Sequence, residues 1–402
     1  MSTFAAFIVT TALIVTACGG SNDDGGTASA GPIKIGVATS VTGHSASLVG
    51  MTAPVAEAWA KYANELGGIG GHEVEIVIGD TKADPAAGLT VARQLVQRDK
   101  VSAVIVADST AEAPVLEYLE KSGVPVLGLS YAPGAVGKLS NLYAATTAAE
   151  TYVPAVVTAA KSHGVKKLGN VYCAESPICA GVSDVYSAAS EKLGIEYDSG
   201  PKVTSSAPDY TAECLQLIDM KVDEIQLDLS PVPGSRVAEA CIRQGYAGVF
   251  GTTTASFNQD SMSKVKGVTF IGPINSFPWW IDHPGVKAFN DAMSKHAGKT
   301  VTRTPVATST WVQLELLRKA LDGTDVADVS PAGVKKALSG VKDETLGGLL
   351  PQPLTFTENG PQPKINCFWM AEYTAGDASP KLLPAQGESG NGETGELAST
   401  CL

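Results

Sequence analysis

From Ile33 onward the apolar positions of the chain switch back and forth between two spacings. Short runs rich in β-branched residues, IKIGVAT (33–39), HEVEIVIGD (72–80), VSAVIVA (101–107) and VPVLGLS (124–130), predict strands. Between them APVAEAWAKYANEL (53–66), PAAGLTVARQLVQR (85–98) and APVLEYLEKSG (113–123) repeat apolar residues three and four apart and predict helices, the last stopped by Gly123. A second series follows Leu142. Helices are predicted over 152–164, 180–194, 209–220 and 235–248, and strands over 165–173, 195–203, 223–229 and 267–272. A Pro and aromatic loop, FPWWIDHPG (277–285), then leads into helices over 286–298 and 306–323. Strand-helix alternation of this kind implies α/β architecture, with parallel sheets covered by helices on both faces. Residues Gly376–Ser399, rich in Gly, Ser, Pro and Glu and without periodicity, are expected to form a loose surface segment tied down by Cys401.

Length and charge narrow the classes. The 402 residues suit two or three domains, and a net charge of −12 leaves no basic surface for a phosphate backbone, so nucleic acid is excluded as a partner. Phe4–Ala17 form one uncharged apolar run, too short to span a bilayer but fitting the apolar region of a secretory signal, although no Lys or Arg precedes it. Val15-Thr16-Ala17-Cys18 resembles a bacterial lipobox, in which the cysteine is acylated and becomes the new N-terminus. On that reading residues 1–17 are a lipoprotein signal and 18–31 a flexible tether. Setting Cys18 aside leaves Cys173, Cys179, Cys214, Cys241, Cys367 and Cys401, an even set that suits disulfides in an exported protein. Their neighbourhoods favour pairing in that order, although counting leaves all connectivities open. No Cys or His spacing suits a zinc site, so neither metal nor cofactor is expected.

The stretch GPIKIGVATSVTG, followed by AKYANELGGIGGHEVEIVIGDTKADPAAGLTVARQLVQRDKVSAVIVA, resembles the periplasmic solute-binding proteins of branched-chain amino-acid ABC importers. The GGIGG turn, Asp80 and the Asp84-Pro85 pair carry most of the likeness, which extends over most of 32–375. The resemblance implies two doubly wound parallel-sheet lobes joined by a three-crossing hinge. The N-terminal lobe would comprise 32–143 plus 273–345, the C-terminal lobe 144–272 plus 346–375, with 376–402 as a tail. The second lobe would gain strands over 355–373. It further implies a monomer that takes a small-molecule solute, delivers it to an ABC permease, and touches the membrane only through the anchor at Cys18.

Ligands of open parallel sheets sit beyond the carboxyl ends of the strands, where helix N-termini offer donors. Asp108-Ser109-Thr110 occupies such a hand-over, so Ser109 and Thr110 are candidate ligand contacts, with a plain helix cap as the alternative. The resemblance aligns Ser109 with a serine that holds the ligand carboxylate and Ser130-Tyr131-Ala132 with another contact stretch. Gly134 stands where the family often has threonine. In amino-acid-binding members two acidic residues of the second lobe hold the ligand ammonium. Here one position falls on Ala148-Ala149-Glu150, leaving Glu150 one place off, and the other on Gly251-Thr252-Thr253. A desolvated ammonium without a carboxylate is costly, so a carboxylate without ammonium, or an amide, suits the chain better than leucine. Tyr152, Thr253 and Trp279 complete the candidate set. Tyr131, Tyr152, Phe277, Trp279 and Trp280 either line the cleft or pack the core, and His44 faces either cleft or solvent. No G-x-S-x-G, H-E-x-x-H or phosphate loop occurs, so no enzyme is expected. A sensory domain of the same fold with a separate signalling partner is the alternative function.

Overall fold

A computed structural model describes residues 31–128, 135, 138–176, 179, 181–298, 301, 303–322, 328–358, 360, 362–393 and 397–402. The signal and lipidation expectations, Cys18 included, and the candidate contacts Ser130, Tyr131 and Ala132 lie outside the described residues.

The first half runs β1 (Ile33–Thr39), α1 (Ala46–Val49), α2 (Thr52–Glu65), β2 (Val74–Asp80), α3 (Pro85–Gln97), β3 (Ala103–Ala107), α4 (Glu112–Ser122), β4 (Val126–Gly128) and β5 (Leu142–Tyr143). These five strands form one parallel sheet in the order β2-β1-β3-β4-β5. Every residue of β3 is buried, as expected for a central strand covered on both faces. The Asp84 side chain accepts the Ala87 N–H at 2.7 Å with Pro85 in the first helical position, which starts α3. Gly123, left-handed at φ 71°, stops α4 as the sequence predicts.

The second half runs through a 3-10 turn (Ala149–Thr151), α5 (Tyr152–His163), β6 (Lys167–Cys173), α6 (Val182–Leu193), β7 (Glu196–Asp198), β8 (Lys202–Val203), α7 (Thr211–Asp219), β9 (Glu224–Asp228), α8 (Pro231–Arg243), β10 (Val249–Thr252), α9 (Gln259–Met262) and β11 (Thr269–Ile274). After α10 (Pro284–His296), α11 (Pro305–Asp322) and α12 (Pro331–Ser339), the chain ends in β12 (Cys367–Thr374), β13 (Lys381–Leu382) and β14 (Thr400–Cys401). The second sheet has the order β13-β12-β11-β10-β9-β6-β7, with β8 beside β6 and β14 beside β12. Its strands from β6 to β11 are parallel, and β12 returns antiparallel to β11.

The late helices belong with the first sheet, since α10 and α11 pack on α2 and α11 also meets β4. The chain therefore passes between the sheets after Tyr143, between Ile274 and Pro284, and between Ser339 and Cys367. The first and third passages are laced together by Ala148 N–H to Ile365 O at 2.8 Å and the Thr147 hydroxyl to Cys367 O at 2.8 Å.

Three local expectations need correction. The run 195–203 is not one strand but β7 and β8, broken at Gly200, where a side chain would collide with the Asn170 carbonyl at 1.8 Å. Among the described residues of 355–373 only those from Cys367 onward are strand. The terminal segment is not loose. β13 and β14 pair with β12, Ser399 is fully buried with its hydroxyl on Pro351 O at 2.6 Å, and Asn391 Nδ2 donates to Gly348 O and Leu397 O. Periodicity misses this packing because it is made by single polar side chains rather than by an apolar stripe.

Disulfides join Cys173 to Cys179, Cys214 to Cys241, and Cys367 to Cys401. Gly390 lies against the last of these. A Cβ there would stand 2.0 Å from Cys401 Sγ and 2.5 Å from Cys367 Sγ, so only glycine lets the tail cross the bridge.

Candidate functional site

A cavity of about 120 Å³ opens where the carboxyl ends of the two parallel sheets face each other across the crossings. The turn after β1 and the start of α1 contribute His44, Ser45 and Leu48, and the turn after β3 contributes Ser109. The second sheet's side supplies Tyr152 at the head of α5, Cys173 and Cys179, Val182 of α6, Asp228-Leu229-Ser230 after β9, and Thr253-Thr254-Ala255 after β10. The crossings close the back with Thr146–Ala149 and Asn275.

Ser109 sits at the cavity because Asp108 holds its turn. The buried Asp108 carboxylate accepts the Thr110 N–H at 3.0 Å, the Ser40 hydroxyl at 2.7 Å and the Thr81 hydroxyl, so the loop is pinned to the ends of β1 and β2. Thr110 is not part of the lining; its hydroxyl is bonded to His44 Nε2 at 3.2 Å, which steadies an imidazole that does line it. The choice left open for His44 thus falls to the cleft. Tyr152 is brought in as well, and its phenol donates to Asp228 Oδ1. Thr253 lines the wall, but its hydroxyl is engaged with Ser256 Oγ at 2.8 Å.

Two candidates are not brought in. Glu150 is exposed and points to Lys364 Nζ at 3.3 Å, an ion pair between the first and third crossings, because the 3-10 turn at Ala149–Thr151 rotates it outward. Trp279 is 3% exposed and belongs to the core, edge-on to Trp280 at 4.8 Å and tilted against Phe257, with its carbonyl accepting from Asn290 Nδ2. Phe277 is likewise fully buried against Phe289. Large apolar rings beside a hinge gain more from burial under α10 than from a half-open cleft.

The group that sequence reasoning missed is Asp228. It stands at the carboxyl end of β9, lines the cavity, and is 6% exposed. Its carboxylate accepts from Tyr152, from Tyr186 at 2.8 Å, from Asn170 Nδ2 at 2.9 Å and from Gln226 Nε2 at 3.2 Å. Burial pushes its pKa up, while these four donors pull it part of the way back. Burial, and then the charge of Asp228, push the phenols of Tyr152 and Tyr186 well above their ordinary range. The only sequence signal was the Asp near the end of the predicted strand DEIQLDL, and three of its four partners come from other elements, α5, β6 and α6.

Among the described residues, no Lys or Arg lines the cavity. Among the described residues, the hydroxyls of Ser45, Ser109, Thr146 and Thr254 make no hydrogen bond within the chain, although Ser45, Thr146 and Thr254 are 5%, 2% and 8% exposed. Apolar surface from Leu48, Val182, Ala255 and the Cys173–Cys179 bridge fills the space between them. Such a lining holds a small organic body while hydroxyls and N–H groups fix its polar ends. Among the described residues, no group of three His, Cys, Asp or Glu is placed to hold a metal ion, and no helix is long and apolar enough to cross a membrane.

A family model described as periplasmic binding protein matches residues 32–378. The sequence matches no curated protein. The structure is similar to the leucine-binding protein LivK of Thermotoga maritima, at 17% identity, TM-score 0.71, covering 87% of this chain and 97% of that one. It is also similar to LivJ of Streptococcus pneumoniae in complex with isoleucine, at 18% identity, TM-score 0.71, covering 87% and 99%. A third likeness is to an R. palustris solute-binding protein in complex with 4-hydroxybenzoate, at 18% identity, TM-score 0.69, covering 88% and 95%. With the family model spanning most of the sequence, and the two sheets, the crossings and the cleft between them as described, the chain belongs to the periplasmic binding protein family.

Proposed function

We propose that the protein captures a small organic solute outside the cytoplasm, between a lobe of residues 32–143 plus 273–345 and a lobe of 144–272 plus 346–375, and hands it to the permease of an ABC importer. The observation that carries this reading is the cavity at the facing carboxyl ends of two parallel sheets, mostly apolar with hydroxyls set into its wall, with chain crossings at its back that can act as a hinge. Among the similar structures one holds isoleucine, which bears an ammonium, and one holds 4-hydroxybenzoate, which does not. The second type suits this cleft. Asp228, the one carboxylate among the described lining residues, already accepts four protein donors, and Glu150 faces away.

Closure is the test. Adding a bound organic acid or amide should shrink the radius of gyration measured by solution scattering, and an unchanged profile at saturation rejects capture between moving lobes. Ser109→Ala should weaken binding in calorimetry by about 1–3 kcal/mol, the scale of a hydrogen bond to a charged group, with unfolding unaffected.

The same reading tethers the protein to the outer face of the membrane through acylated Cys18, since Val-Thr-Ala-Cys follows the apolar run. Metabolic labelling with a fatty acid should mark the wild type and not Cys18→Ala; equal labelling of both removes the anchor.

A further inference from the structure

We infer that Asn275, in the second crossing, determines specificity by presenting an N–H donor to the solute, so that the solute end held at the hinge is an oxygen acceptor of a carboxylate or amide and not an ammonium. This deepens the solute-capture reading and rests on it. Asn275 is 3% exposed and lines the cavity. Its Oδ1 accepts the hydroxyl of Ser309, a fully buried residue of α11, at 3.2 Å. With Oδ1 engaged by the Ser309 hydroxyl, the NH2 group takes the other side of the amide. The NH2 group is left toward the cavity with no partner among the described residues. An amide N–H at a cavity wall with no acceptor in the chain is free to donate to a ligand oxygen.

The surroundings agree. The Asn275 backbone N–H is bonded to Thr254 O at 3.3 Å, which sets the crossing beside Thr254, itself buried at the cavity wall with an unpartnered hydroxyl. Thr146, from the first crossing, is a third such group. An ammonium has only hydrogens to offer. At the hinge it meets the hydrogens of Asn275, and at the second lobe it meets Asp228, whose oxygens already serve Tyr152, Tyr186, Asn170 and Gln226. Asn275 touches both parts of the fold, through Ser309 and through Thr254, so a solute oxygen bonded to it is gripped where the lobes meet.

One hydrocarbon body with four head groups tests this: 4-methylpentanoate, 4-methylpentanamide, 3-methylbutylamine and L-leucine, titrated calorimetrically into the wild type and into Asn275→Ala, Asn275→Asp and Ser309→Ala. The wild type should favour the acid or the amide over the amine and leucine. Asn275→Ala should weaken that binding about tenfold, the equivalent of one hydrogen bond with a charged or buried partner. Asn275→Asp, which exchanges donor for acceptor and adds charge, should reverse the order toward the amine and leucine. Ser309→Ala removes the partner that engages Oδ1 and should narrow the gap between the classes without removing binding, which distinguishes positioning from collapse of the fold. Wild-type preference for the amine or leucine overturns the inference, as does an Asn275→Ala variant that binds as the wild type does. If none of the four binds and scattering detects no closure, solute capture itself falls and takes this inference with it.

Discussion

Asp228→Ala is expected to lower the stability of the protein by about 3–5 kcal/mol, because it strands four buried donors at once. The phenol of Tyr186 and the amides of Asn170 and Gln226 are all on buried residues, and Tyr152 stands beside them. Each was dehydrated on folding in exchange for a bond to a carboxylate, and alanine returns neither water nor acceptor. The loss should appear as a lower urea midpoint with an unchanged slope. Asp228→Asn separates charge from shape. It keeps one acceptor oxygen but turns an N–H toward one of the existing donors, so it should recover only part of the loss. Full stability in the alanine variant would mean that the donors find water in the cavity and that Asp228 does not organise the second-lobe wall.

What the sequence made legible follows from how each feature is encoded. The parallel strands IKIGVAT and VSAVIVA and the helices between them are written as repeated apolar positions, and each forms where the spacing puts it, within a few residues. Helix α8 starts at Pro231, four residues before the predicted Ser235, since Ser230-Pro231 is a start signal that apolar spacing passes over. Strand β10, only four residues long, is too short to stand out by period between Gly248 and Thr253. The three disulfides were favoured by neighbourhood, and the folded chain forms them.

The site was legible to a smaller extent, for a physical reason. Ser109 could be found because its turn is local, a strand end running into a helix start, with Asp108 next to it. Asp228 and Asn275 could not. The first acquires its meaning from Tyr152, Asn170 and Tyr186, the nearest of them 42 residues away, and the second from Ser309, 34 residues on. Trp279 misled because an aromatic near a hinge reads alike whether it meets ligand or core; only the packing of Phe257 and Trp280 on it decides. Glu150 misled through phase, since one 3-10 turn sends a side chain to the opposite side of the chain.

Glu224→Gln is expected to stabilise the protein, and by more as the pH rises. Glu224, at the start of β9, is 1% exposed, and its Oε2 has no partner among the described residues. Gln226 Oε1, on the same face of the strand, is also unpartnered, and both side chains crowd Gly251, where a Cβ would lie 2.1 Å from an oxygen of each. Burial raises the Glu224 carboxyl well above its ordinary 4.5, with the charge of Asp228 adding to the shift, so the folded protein keeps a proton there that the unfolded chain gives up. Stability from this group is therefore complete below about pH 4.5 and declines as the pH rises toward the folded-state value, by at most about 1.4 kcal/mol per pH unit. Glutamine never ionises and can offer its N–H to the orphan oxygen of Gln226. The gain should be smallest at pH 4 and grow toward pH 7, read from urea midpoints of the two proteins across that range. A gain that does not vary with pH would mean Glu224 is already ionised in the fold, and a loss at every pH would mean its carboxyl makes a bond that the amide cannot replace.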